Sequence, residues 1–97
     1  MDVADAVHRA LEFELARRHD DAIEVLLEAA KEHDDEDLHL AIACQYTTRG
    51  LLRSGARAKA DFEEADKWAE IPFTRAARAA AEARGGGDLA RAEAMAA

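Results

Sequence analysis

The chain is predicted to be all-α, built of antiparallel helical hairpins stacked one on another, about six helices in a single domain spanning residues 1–97. Three observations carry this. Ala22, Ala58 and Ala92 each open an apolar helical stretch and stand 36 and 34 residues apart, a period that accommodates two helices per unit. Alanine, the best helix former, supplies 25 of the 97 residues, and Pro72 is the only proline. No segment alternates polar with β-branched apolar residues as a half-buried strand does. A hairpin of this size cannot bury its apolar face alone, so neighbours must stack and leave a groove along one side.

The first helix is expected from Val3 to Ala16. Val3, Val7, Leu11 and Leu15 recur every four residues, and Ala6, Ala10 and Phe13 widen that stripe. Arg17 to Asp20 form a joint. Asp20 or Asp21 is placed to cap a second helix, Ala22 to Glu32, with Glu24 completing a capping box. The acidic run Asp34 to Asp37 suits the start of a third helix, Asp35 to Arg53. That helix is apolar on two sides, as a central member of a stack must be. Gly50 within it marks either a close helix crossing or an early fray. Ser54-Gly55 makes the next joint. The fourth helix, Ala56 to Glu70, is expected to bury Ala58, Phe62, Ala65 and Ala69, with Trp68 at the edge. Pro72 suits the first turn of a fifth helix, Phe73 to Arg84, which the run Gly85 to Gly87 breaks. Asp88 then caps a short sixth helix, Leu89 to Ala96.

The second helices align as Ala22-x3-Leu26-x2-Ala29, Ala58-x3-Phe62-x2-Ala65 and Ala92-x3-Ala96. This pattern of small, bulky and small residues resembles the tetratricopeptide repeat, in which small residues let two helices approach and the bulky one fills the space between them. The joint Gly87-Asp88-Leu89-Ala90-Arg91-Ala92 is similar to that family's turn. The first helices agree less well: the family's Trp and Leu-Gly pair are missing, and Phe13 stands in for its Tyr. Repeats fall at about 3–38, 39–72 and 73–97. The resemblance implies a short right-handed superhelix whose first helices line a concave groove. Its groove-facing places fall on Ala4, Val7, His8, Leu11, Glu14 and Leu15, then Leu40, Ala43, Cys44, Thr47 and Leu51, then Thr74, Ala77, Arg78, Ala81 and Arg84. Of these, Val7, His8, Leu11, Cys44, Thr47, Leu51, Thr74 and Arg78 are the candidate partner-binding residues. Of the residues with which some members grip a peptide's terminal carboxylate, only Arg78 has a counterpart. The implied function is that of an adaptor holding a peptide or helix of a partner protein. A glutamate at Leu11 or Thr47 is expected to weaken binding without unfolding the chain.

Composition narrows the alternatives. The net charge is −8, and it is uneven: residues 1–37 carry 13 acids against 4 bases, residues 38–97 carry 8 against 9. Such a chain repels phosphate backbones, and the basic segment Arg49, Arg53, Arg57 and Lys59 straddles a helix joint, so no nucleic-acid partner is expected. The acidic part facing the more basic part of another copy makes a self-associating structural module the alternative function. Apolar runs are too short to span a membrane, and Met1 to Ala6 lack the basic start of a secretory signal. The single cysteine, Cys44, fits a reducing, cytoplasmic setting.

Chemistry has little to work with. His33 and His39 bracket Asp34 to Asp37, yet neither zinc spacing nor a glycine-turned calcium loop is present. Ser54 lacks a nucleophile elbow. Cys44 with His8 would need hydrogen-bond contact across the groove to act as a dyad. Gly85 to Gly87 lack the lysine and hydroxyl residue of a phosphate loop. No catalytic residue, metal or cofactor is expected, and the chain reads as a non-enzyme.

Overall fold

A computed structural model of the chain describes residues 1–86. These form five helices and no strand: α1 (Val3–Leu15), α2 (His19–Ala30), α3 (Glu36–Leu51), α4 (Gly55–Trp68) and α5 (Pro72–Gly86). The expected sixth helix, with Ala92, Ala96, its cap Asp88 and the turn at Gly87, lies outside the described residues.

Local chemistry sets each boundary. Asp2 caps α1, its Oδ1 accepting from the Asp5 N–H at 2.8 Å. The helix ends in a Schellman turn: the Arg18 N–H donates to the Phe13 carbonyl at 2.8 Å and the Arg17 N–H to the Glu14 carbonyl at 2.9 Å. That turn requires a left-handed residue, and Arg17 supplies it at φ 61°. The chain then enters α2 at once, three residues before the expected start. Asp20 and Asp21 therefore lie in its first turn, where their charge interacts favourably with the helix dipole, and do not cap it; Arg18 occupies the cap position without a side-chain capping bond. Asp35 caps α3 through Oδ1 and the Leu38 N–H at 3.1 Å. Gly50 is buried within α3, which ends one residue on at Leu51, two short of the expected Arg53. Between α3 and α4 the left-handed residue is Gly55, the first of α4, again at φ 61°. Pro72 opens α5, which runs on through Gly85 and Gly86 and so is not broken at Arg84.

The two left-handed residues stand at different places: Arg17 closes α1, while Gly55 opens α4, two residues past Arg53, the counterpart of Arg17. A non-glycine side chain in the left-handed region costs about 1–2 kcal/mol, while glycine is nearly free there. Arg17→Gly is accordingly expected to stabilise the fold by about 0.5–1 kcal/mol, read as a higher urea midpoint at unchanged slope.

α3 is the centre of the molecule, in contact with all four other helices, whereas α2 and α4 do not touch. Along the principal axes the fold measures 47 × 24 × 19 Å. The main core joins Ala6 and Ala10 of α1, Ala22, Ile23, Leu26 and Ala29 of α2, Leu38, Ile42, Ala43 and Tyr46 of α3, and Ala65 of α4. A smaller cluster joins Ala58 and Phe62 of α4 to Ala77 of α5. All six residues of the two complete alanine patterns are buried, Phe62 and Leu26 completely. Ala69 and Trp68 are half-buried at the edge. One expectation for α1 fails: its stripe buries Ala6 and Ala10, but Leu11 is 48% and Leu15 85% exposed. α1 contacts only α2 and α3, so the far side of a broad apolar stripe has nothing to pack on.

Candidate binding surface

The odd-numbered helices are neighbours, α3 touching both α1 and α5. Of the residues expected to line that side, Leu11 and Leu40 are open, at 48% and 38% exposure, and Val7 is half-buried against the core. Cys44 is half-buried, with the Glu14 carboxylate close enough to act on its thiol. Burial, and then the Glu14 charge, push that thiol above its ordinary range. A raised thiol holds less thiolate at a given pH, so alkylation at pH 8 is expected to be slower than for a cysteine in an unfolded peptide. Glu14→Gln should speed it, a difference readable by timed mass spectrometry.

Other candidate residues lie elsewhere. Thr47 and Thr74 are fully buried. The Thr47 hydroxyl donates to the Ala43 carbonyl at 2.8 Å, which leaves the Thr74 hydroxyl as donor in the 2.7 Å contact between the two Oγ1 atoms. They pin α3 to α5 and offer nothing to a partner. A glutamate at Thr47 would bury a carboxylate in this contact, so it would unfold the region, contrary to the expectation above. Arg78 is engaged with Asp66 of α4 at 2.7 Å. Leu51 packs against the Phe62 cluster, and its carbonyl accepts from Arg84 at 3.3 Å. His8 is directed along its own helix, 2.9 Å from Glu12. The open part of the surface therefore comprises Leu11, Leu40 and Cys44, with Val7 and Glu14 beside them.

The histidines beside the acidic run have structural partners. His33 Nε2 donates to the Met1 carbonyl at 3.0 Å, tying that loop to the start of α1. His39 packs on Trp68 with ring centroids 5.4 Å apart. No group of three or more metal-ligating side chains gathers among the described residues.

Arg49 and Arg53 of the basic segment turn inward. Asp61 of α4 is buried, its side chain 3% exposed. Arg49 donates to it from Nη2 at 2.7 Å and from Nε at 3.3 and 3.2 Å, and also reaches Asp20 of α2 from Nη1 at 2.8 Å. Its guanidinium lies 5.3 Å from the Tyr46 ring centroid. One side chain of α3 thus joins α2 to α4, two helices that make no contact of their own. The hydrogen bond that Arg49 donates to Asp61 raises the Arg49 pKa, outweighing the burial that pulls it down.

No helix among the described residues is long and apolar enough to cross a membrane. No protein-family model, curated protein or solved structure matches the chain.

Proposed function

We propose that the chain is a protein-interaction module that holds a peptide or helix of a partner protein on the side shared by α1, α3 and α5, in the manner of tetratricopeptide repeats. The observation that carries this reading is the order of contacts: the odd helices adjoin, the even ones do not, and the small-bulky-small patterns of α2 and α4 are buried between them. Leucines left open on that side supply an apolar docking strip, and the half-buried thiol is compatible with a reducing compartment.

Leu11→Glu tests it. Leu11 is half-exposed, so the charge should change stability by no more than about 0.5 kcal/mol. On an array of amphipathic helical peptides, peptides that bind the parent chain should lose at least most of their signal with the variant. An array on which parent and variant give the same pattern would remove the groove from the reading. A second reading has its own observation: Leu15 at 85% and Leu52 at 68% exposure leave apolar surface that another copy can cover. Light scattering across concentration separates the two, since only self-association raises the mass as the chain is concentrated.

A further inference from the structure

A cleft of about 340 Å³ lies where the two helical joints meet, lined by Arg17, Arg18, Arg49, Arg53, His19, Asp20, Asp21 and Leu52. Four guanidinium groups face two carboxylates there. Arg18 is held by Asp21 at 2.8 Å, and Arg49 by Asp20 and Asp61. Arg53 is paired more loosely: its guanidinium stands 3.4 Å from Asp61 and 3.7 Å from Asp20, without a side-chain hydrogen bond among the described residues. Arg17 has no partner among them. These two are equivalent places in the two hairpins, 36 residues apart like Ala22 and Ala58.

Three features point to a ligand. Arg17 holds its place at the cleft in a left-handed conformation that is costly for a side chain other than glycine. A guanidinium without a partner carries a planar fork of donors shaped for an oxyanion. Six of the acids are remote: Asp2, Asp5, Asp34, Asp35, Glu36 and Asp37 lie at the starts of α1 and α3, and the 13 residues of α1 place the cleft about 20 Å from the first of these. That exceeds the screening length of about 8 Å at physiological salt, so the local groups, four arginines against Asp20, Asp21 and Asp61, decide what the cleft attracts.

We propose that this cleft binds acidic side chains of a partner peptide, with a carboxylate on Arg17 and Arg53 and an apolar neighbour on Leu52. A carboxylate fits better than a phosphate because Asp20 and Asp21 share the lining, and they repel a group of charge about −1.5 to −2 more than one of −1. Leu52, largely exposed beside the arginines, suits a peptide in which acids and apolar residues mix. The cleft lies at the helix ends and does not depend on the odd-helix surface.

The test follows backbone amides by ¹⁵N NMR during titration with a capped octapeptide of alternating glutamate and leucine. Saturable shifts at residues 17–21 and 52–54 are expected, absent with a lysine–leucine octapeptide. Arg17→Gly removes the guanidinium and eases the turn, so the variant stays folded, and its dissociation constant should rise about five-fold. An unchanged titration in Arg17→Gly overturns the assignment, as do shifts confined to the Leu11 and Leu40 side. Inorganic phosphate binding as tightly as the peptide replaces the peptide with a free anion. Shifts at the same amides on concentrating the chain without peptide put a second copy in the cleft, and also overturn it.

Discussion

Phe62→Ala is expected to destabilise the fold by about 3–5 kcal/mol, a large part of what a domain of this size has. The ring is 1% exposed and is the largest fully buried side chain among the described residues. The cluster it anchors holds otherwise only Ala58 and Ala77, with Leu51 and Ala81 at its margin. Removing it leaves α5 with little apolar contact. The ring also explains Gly50. A Cβ at that position would stand 2.6 Å from Phe62 Cε1, 3.0 Å from Cδ1 and 3.1 Å from Cζ. Alanine in a helix interior normally stabilises by about 1 kcal/mol over glycine. Here the overlap with a ring that has nowhere to go should outweigh that gain, at about 1–3 kcal/mol. Gly50→Ala is therefore expected to be destabilising alone and stabilising in the Phe62→Ala background. Urea unfolding of the four proteins measures the reversal. Additive effects would mean that the ring does not define the space over Gly50.

What the sequence disclosed follows from the range of the interactions involved. Helix caps and starts are local, and Asp35 and Pro72 could be read directly. The alanine patterns report helix-to-helix approach at fixed spacing, and they located the buried residues of α2 and α4. Contacts between distant residues left no such mark. Nothing in the sequence pairs Thr47 with Thr74, because a threonine reads the same whether its hydroxyl meets water or another hydroxyl. Leu11 and Leu15 continued an apolar period, but periodicity does not say whether a neighbouring helix covers that side, and at the end of the stack none does. Arg17 carries no turn signature, since glycine is the residue that normally announces a left-handed position. The identity of a partner is further still from legibility: an open strip of leucines and a cleft of arginines define a chemistry, not a sequence.

Asp61 was the deepest miss and gives the second large effect. An acid within an apolar helical face reads as an interruption, and its compensation comes from Arg49 and Arg53, twelve and eight residues earlier in the chain. Asp61→Ala should cost about 3 kcal/mol, because it leaves two guanidinium groups close together in a largely enclosed site with only Asp20 beside them. Their side chains keep 21% and 26% exposure and can turn toward water, which holds the loss near the lower end for a broken buried pair. Asp20→Ala makes the contrast. Its carboxylate is bonded to the same Arg49 at nearly the same distance, 2.8 Å against 2.7 Å, but is 78% exposed. Water and salt screen it, and its loss should cost less than about 1 kcal/mol. The Arg49 pKa is raised, so its contribution is complete below the unfolded value and fades only as pH rises through the still higher folded one. Both lie far above neutrality, and the difference between the two variants should therefore persist unchanged from pH 6 to pH 9. Equal losses in Asp61→Ala and Asp20→Ala would mean that burial adds nothing to this ion pair and that the joining of α3 to α4 rests on Phe62 and the alanines alone.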